Sequence, residues 1–392
     1  MDNDAARFIC RSYLEKLMRL TLLASTILVG LCGRALAANE TGKPIGPDRA
    51  AYQKAVSRGL EYLAQAQADD GSFSNQAGPG LTAIVATALL RHDRTPDDPL
   101  VAKSLKYLEG FVHDDGGIYA PGSRYQNYET SLAMLCFHEA NSAGRYDKLL
   151  KKAEAFDKQI QWDGDEGHDE SSLSYGGAGY GSHSRPDLSN TSFLIEALHA
   201  TGAEANDAAL QKALVFVSRC QNLESPHNTT KFAAKVNDGG FYYTIAAGGS
   251  SQAGPTPDGG LRSYGSMTYA GLKSMIYCGV GPDDPRVKAA TQWIQQHYTL
   301  AENPGMGTDG LFYYFHTFAK ALDAVGDDQF VDASGTSHDW RRELADRLFE
   351  LQKEDGSWVN TSERWLEADP NLVTAYSLLA LSYCEPKTAN AQ

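Results

Sequence analysis

Two side chains stand out for proton chemistry. Asp187, in Pro186-Asp187-Leu188-Ser189-Asn190-Thr191, and His316, in Phe315-His316-Thr317, each precede a threonine that opens an apolar, helix-patterned run. A carboxylate and an imidazole at helix entrances are residue types suited to general acid–base catalysis, with Asp309 or Asp369 placed to assist the histidine. Asp187 equally suits an N-cap, where a carboxylate satisfies orphan backbone N–H groups. Tyr128, Glu129, Tyr264, Tyr269, Tyr313, Tyr314 and Asp369 gather around equivalent helix starts, an aromatic and mildly acidic set in a chain with 20 Tyr and 14 Phe. Such rings wall apolar cavities, hold cations over their faces or stack on sugars. Each taken singly is also an ordinary packing residue.

Other candidate motifs are weaker. Asp163 to Glu170 crowds five carboxylates and His168 into eight residues, but the spacing fails a calcium-loop frame and reads as a solvated acidic loop. Gly248 to Gly260, rich in Ser, Thr and Pro, is a long flexible loop suited to a lid. It has no phosphate-loop arrangement. Cys136, Cys220, Cys278 and Cys384 sit among apolar helical neighbours without C-x-x-C spacing. They read as buried thiols, or as at most one disulfide that the sequence does not pair. No metal or cofactor is expected.

Positioning these residues falls to a repeat. A helix, an Asp-Gly-aromatic turn, a loop and a helix opening around Thr recur through the chain. The Asp-Gly pairs fall at 70, 115, 163, 238, 309 and 355, and the threonines at 82, 130, 191, 268, 317 and 374. Both series count six units, and periods of this size mean that each unit buries its apolar face only against its neighbours. Apolar residues such as Ile84, Val85, Ala88 and Leu89 keep helical spacing and no period-2 run competes, so the chain reads as nearly all helix. Six hairpins can close into a ring, and inner-helix N-termini would then converge on one mouth that favours anions. The 392 residues are 42% hydrophobic and 21% charged, with a net charge of −14. That excludes disorder and argues against nucleic-acid binding.

The phrase of basic residue, aromatic-aliphatic pair, Gln and Asp-Gly-aromatic is clearest at 58–73, with Arg58, Tyr62, Leu63 and Gln65, and recurs at 212–243 and 341–358. It resembles the repeat of squalene cyclases and protein prenyltransferase β-subunits, over essentially all of 50–384. The resemblance implies an all-α (α/α)6 toroid with six inner helices around a cavity, an apolar or isoprenoid ligand, and cyclase- or transferase-like activity. Squalene cyclases carry Asp-x-Asp-Asp-Thr where this chain has Asp187 to Thr191. Ser189 replaces the proposed acid and Asn190 the third Asp, which argues against a protonation-initiated cyclase. The prenyltransferase zinc ligands would fall on Tyr264, Ser266 and His316. One ligand of three remains, so no metal is expected there. A carbohydrate-active toroid and a non-enzymatic interaction scaffold are the alternatives.

The N-terminus carries Arg7, Arg11, Lys16 and Arg19, then an apolar run from Leu20 to Gly33, then Ala35-Leu36-Ala37. This is the pattern of a secretory signal over 1–37, implying export to a periplasmic or extracellular space. A linker over 38–49, the toroid over 50–384 and a tail over 385–392 complete the expected organisation. No later stretch is long and apolar enough to span a bilayer.

Overall fold

The computed structural model describes residues 45–181 and 184–387. The expected leader, Cys10 and Cys32 lie outside the described residues. Twelve helices dominate: α1 (Arg49–Ala66), α2 (Pro79–Leu90), α3 (Pro99–Glu109), α4 (Gln126–Glu139), α5 (Asp147–Gln159), α6 (Leu188–Ala200), α7 (Ala208–Arg219), α8 (Gly265–Tyr277), α9 (Pro285–Gln296), α10 (Leu311–Val325), α11 (Trp340–Leu351) and α12 (Pro370–Ser382). A single turn at Ala233–Val236 and a short hairpin pairing Phe330–Val331 with Ser337–His338 interrupt the links.

The even-numbered helices pack in sequence, α2 on α4 through to α10 on α12, and α12 returns onto α2. The molecule is an all-α (α/α)6 toroid. Sequence decides which helix goes where. The odd-numbered helices are amphipathic: α1 buries the stripe Tyr52, Ala55, Val56, Gly59, Leu60 and Leu63 and leaves its other face wet. The even-numbered ones are buried nearly all round and the apolar α2 buries every residue from Pro79 to Leu89, while α4 buries Asn127, Glu129, Thr130 and Ser131 among its apolar residues. A helix apolar on all sides must go inside and a striped one must cover it. Five of the six outer helices start on aspartates that accept backbone N–H bonds, Asp48, Asp98, Asp207, Asp284 and Asp339, with Pro99 and Pro285 at the first turn of α3 and α9.

The repeated phrase proves to be the joint between units. Asp70 Oδ1 accepts from Ser72 N at 3.0 Å and closes the turn, and Phe73 N donates to Thr82 Oγ1 at 3.0 Å, pinning the aromatic under the inner helix. Gly71 has φ +89, and a Cβ there would stand 2.3 Å from the carbonyl oxygen of Lys103 on the next outer helix. Only glycine fits. The same contact closes the ring, because a Cβ at Gly356 of the last unit would stand 2.3 Å from the carbonyl oxygen of Arg58 in the first. The glutamine ties the joint across units: Gln352 Nε2 donates to Gly356 O and Ala55 O, both at 2.9 Å.

Three details of the sequence reading are corrected. The bonding glutamines of the first and third units are Gln67 and Gln161, each two residues beyond the Gln65 and Gln159 of the sequence pattern. In the third unit the joint is made by Gly176, packed on Lys212 O, while Asp163-Gly164 opens an inserted loop. In the fifth, Gly310 is itself the N-cap of α10, and Thr317 lies in the second turn, bonding Tyr314 O of its own helix at 3.0 Å.

Candidate functional site

All six inner helices begin at one end of the ring, and there they surround a cavity of about 710 Å³. Gly78, Tyr128, Glu129, Ser189, Phe193, Tyr264, Ser266, Met267, Gly310, Tyr313, Asp369 and Tyr376 line it, so five inner helices contribute residues and α2 presents its N-cap, Gly78. Nine lining side chains are aromatic. Their rings make a continuous wall: Tyr128 to Tyr180 at 6.0 Å, Tyr128 to Phe193 at 5.5 Å, Phe193 to Tyr313 at 6.3 Å and Tyr313 to Tyr376 at 5.9 Å. Burial raises the Tyr128, Tyr313 and Tyr376 phenols far above neutrality, so they stand as uncharged donors.

The rim is built from the loops ahead of the inner helices. Arg364 clasps it, donating to Asp309 Oδ2 at 2.8 Å and to Gln252 Oε1 at 2.9 Å, with its guanidinium 4.3 Å from the centre of the Trp365 ring. The 248–260 loop thus reaches the loop preceding α12 through Gln252, a cavity-lining residue. Trp365 and Leu366 have φ of +54 and +63 and are 42% and 55% exposed. Left-handed backbone at two successive bulky residues is strained and persists only where the surroundings hold it.

The cavity's carboxylates are engaged by backbone N–H groups, Glu129 by a loop and Glu367 and Asp369 as helix caps. Glu129 Oε2 accepts from Ala120 N at 3.0 Å, and burial raises its pKa. Glu367 accepts from Tyr313 N at 2.7 Å and Phe312 N at 3.3 Å, capping α10 from another loop, and burial raises it too. Asp369 accepts from Asn371 N and Leu372 N of its own helix.

The expected site residues separate into three groups. Tyr128, Glu129, Tyr264, Tyr313 and Asp369 line the cavity. Tyr269 and Tyr314, expected as wall residues, do not: their rings pack on each other at 5.6 Å and on Phe318, between the two helix layers, and Tyr314 Oη donates to Thr299 O. Adjacent helical positions differ by about 100°, so Tyr313 and Tyr314 cannot share a face. Asp187 and His316 stand behind the wall, at different levels.

Asp187 caps α6, taking Asn190 N at 2.9 Å on Oδ1 and Asn190 Nδ2 at 2.8 Å on Oδ2. It also bonds the hydroxyl of Tyr243, a cavity-lining residue. Burial pushes its pKa up to about 6 against these donors. Ser189, in the position of the missing acid, does face the cavity and shares a 2.9 Å hydrogen bond with Tyr313 Oη. His316 lies deeper, 5.3 Å ring to ring from Tyr376, beside Lys320 and Glu196 rather than Asp309 or Asp369. Burial and Lys320 hold its pKa well below the usual imidazole range.

Sequence reasoning missed Tyr243 and Glu367 in this wall, and Glu196, Lys273 and Lys320 beneath it. A signal existed for two of them: Glu196 and Lys273 each fall five residues after a helix-opening threonine, inside otherwise apolar inner helices. Elsewhere, Asp163 pairs with Lys212 at 2.5 Å, and Cys136, Cys220, Cys278 and Cys384 are free, buried thiols. Among the described residues no three His, Cys, Asp or Glu side chains stand close enough to hold a metal ion, and no helix is long and apolar enough to cross a membrane.

The family model for the squalene-hopene cyclase C-terminal domain matches residues 76–246. Squalene–hopene cyclase from Alicyclobacillus acidocaldarius is 31% identical over 147 residues, 36% of this chain and 23% of that enzyme, so the matched part spans under a quarter of the relative. A type II terpene cyclase from Scytonema aligns with a TM-score of 0.51 at 13% identity, covering 86% of this chain and 98% of that one. A family 76 glycoside hydrolase from a bovine Bacteroides thetaiotaomicron strain gives 0.49 at 11% identity, over 84% and 78%. At 13% identity the likeness to the Scytonema enzyme speaks to fold.

Proposed function

We propose that the chain is a terpenoid cyclase-like α/α toroid, similar over residues 76–246 to the squalene-hopene cyclase C-terminal domain, and that it binds an apolar, isoprenoid-class molecule in the aromatic cavity at the mouth of its ring. The observation that carries the reading is the convergence of all six inner helices on one cavity of about 710 Å³ with nine aromatic side chains in its lining. A volume between about 300 and 1,000 Å³ holds a ligand of drug-like to polyprenyl size, and neutral ring faces stabilise both hydrocarbon and developing positive charge. The few polar groups would orient a functionalised end. Ser189 has no acidity fit to protonate an unactivated alkene. Asp187, poised near pH 6 and bonded to the cavity-lining Tyr243, is the group suited to exchange a proton with a hydroxyl or epoxide at that wall. His316 lies below the floor and is assigned no contact with the ligand.

A carbohydrate-cleaving role needs two carboxylates free to act on a glycosidic bond. Glu129, Glu367 and Asp369 are each occupied by backbone N–H donors, which favours the apolar reading. The leader-like N-terminus supports an exported protein whose mature chain begins at Ala38, a prediction checked by intact mass of the secreted material.

The test is mass spectrometry of organic extracts from the exported protein, beside a Ser189→Trp, Met267→Trp variant designed to fill the cavity. The expected result is a stoichiometric isoprenoid in the parent and its loss from the variant, with helical circular dichroism unchanged. No lipid in either sample, together with no thermal shift on adding squalene or C15–C30 isoprenols, would sink the proposal.

A further inference from the structure

Phe193 and Tyr376 line two cavities, the large one above them and a small one of about 20 Å³ beneath, on the axis of the ring. The lower cavity is charged where the upper is aromatic. Thr87 and Arg91 reach it from α2, Glu196 from α6, and His316 and Lys320 from α10.

The charges there do not balance. Glu196 Oε2 takes Lys273 Nζ at 2.5 Å and its Oε1 takes Lys320 Nζ, so two ammonium groups share one carboxylate. Lys273, Lys320 and Glu196 are 3%, 5% and 7% exposed at their side chains, too buried for solvent to screen the excess. Glu139 adds no compensation, because it answers the charge of Arg91 at 2.7 Å. An unmatched buried cation is costly and tends to shed its proton or acquire a counter-charge. The strain shows in Lys320, whose pKa burial drives down to about 7 despite Glu196, with Lys273 and Arg91 pushing the same way. His316 supplies a second sign of an absent partner: it is 3% exposed and its Nδ1 has no hydrogen-bond partner.

The space fits one small particle. A cavity needs about 10–15 Å³ on this measure to hold a single water-sized occupant, so sulfate and phosphate are too large. A water molecule would answer the orphaned ring nitrogen but leave the net charge. A single negative ion answers both.

We propose that the axial cavity is a binding site for one monovalent anion of the halide class, chloride under ordinary conditions, held by Lys320 and His316 within the field of Arg91 and Lys273. It is separate from the ligand cavity and does not depend on what that cavity binds. The site is assembled from residues of three inner helices that meet only in the closed ring, so the ion acts as a ligand of the folded state.

Equilibrium unfolding of the exported chain reads this directly. Above the dissociation constant, the unfolding equilibrium constant should fall about tenfold for each tenfold rise in chloride or bromide. Gluconate, too large to enter, should give no such response at matched ionic strength. Lys320→Met leaves Lys273 paired with Glu196 and should remove the halide dependence while unfolding stays cooperative. Equal responses to chloride and gluconate, or an undiminished chloride response in Lys320→Met, would overturn the proposal and assign the cavity to water. Should Lys320→Met fail to fold, anomalous scattering from bromide-grown crystals of the parent decides. A peak between Lys320 and His316 supports the site, and none overturns it.

Discussion

At the scale of single residues, the two candidates for proton chemistry behave oppositely, and burial explains both. Burial lifts Asp187 from 3.8 to about 6 and pushes His316 down, each toward its uncharged form. The folded state therefore holds the Asp187 proton more tightly than the unfolded chain does. Its contribution to stability is fully present below about pH 4 and lost as the pH rises through about 6. Asp187→Asn should flatten that part of the profile, narrowing the difference in unfolding free energy between pH 4.5 and pH 8 by about 1–3 kcal/mol in urea titrations. Glu196 is the opposite case, a carboxylate held well below its ordinary range by Lys273 and Lys320. Glu196→Gln strands both ammonium groups and should cost about 3–5 kcal/mol of stability in the same titrations. The Asp187 motif was legible in the sequence because cap and catalytic frame share one short segment. The axial cluster was not, since Glu196 and Lys320 lie 124 residues apart and meet only because the ring closes.

At the scale of elements, the joint between units decides stability. Gly71→Ala forces a left-handed residue onto the Lys103 carbonyl, whereas Gly122, with φ +73 and nothing within 4 Å of a Cβ, meets only the backbone penalty. Thermal unfolding should register a loss of about 1 kcal/mol for Gly122→Ala and at least twice that for Gly71→Ala. Equal effects would mean that the close approach to Lys103 is not what fixes glycine there. The unit count and the turn chemistry could be read from sequence, because Asp, Gly, aromatic and Thr act locally and leave a local pattern. Register could not be read where an insertion intervened. The acidic loop presents its own Asp163-Gly164 and masks Gly176. The facing of Tyr269 and Tyr314 depends on helix rotation, which neighbouring units set.

At the scale of the whole molecule, no unit buries its apolar face alone. The inner helices are buried on every side, so a missing unit exposes apolar surface on both of its neighbours. A chain ending at Asp339, which lacks α11 and α12, should lose cooperative thermal unfolding altogether rather than persist as an open five-unit arc. Differential scanning calorimetry distinguishes the two. Closure is also where the two ends of the described chain meet: Ile45 pairs with Lys387 in a backbone bridge, Arg49 bonds Pro386 O at 2.9 Å, and Gly46 N bonds Asp339. The described ring therefore has a seam but no structural beginning. Circular permutants that join 387 to 45 through a few glycines and open the chain near Gly281, in the link between α8 and α9, should fold to the same ring. For this architecture the order of the units around the circle is fixed, and the place where the gene starts reading them is not.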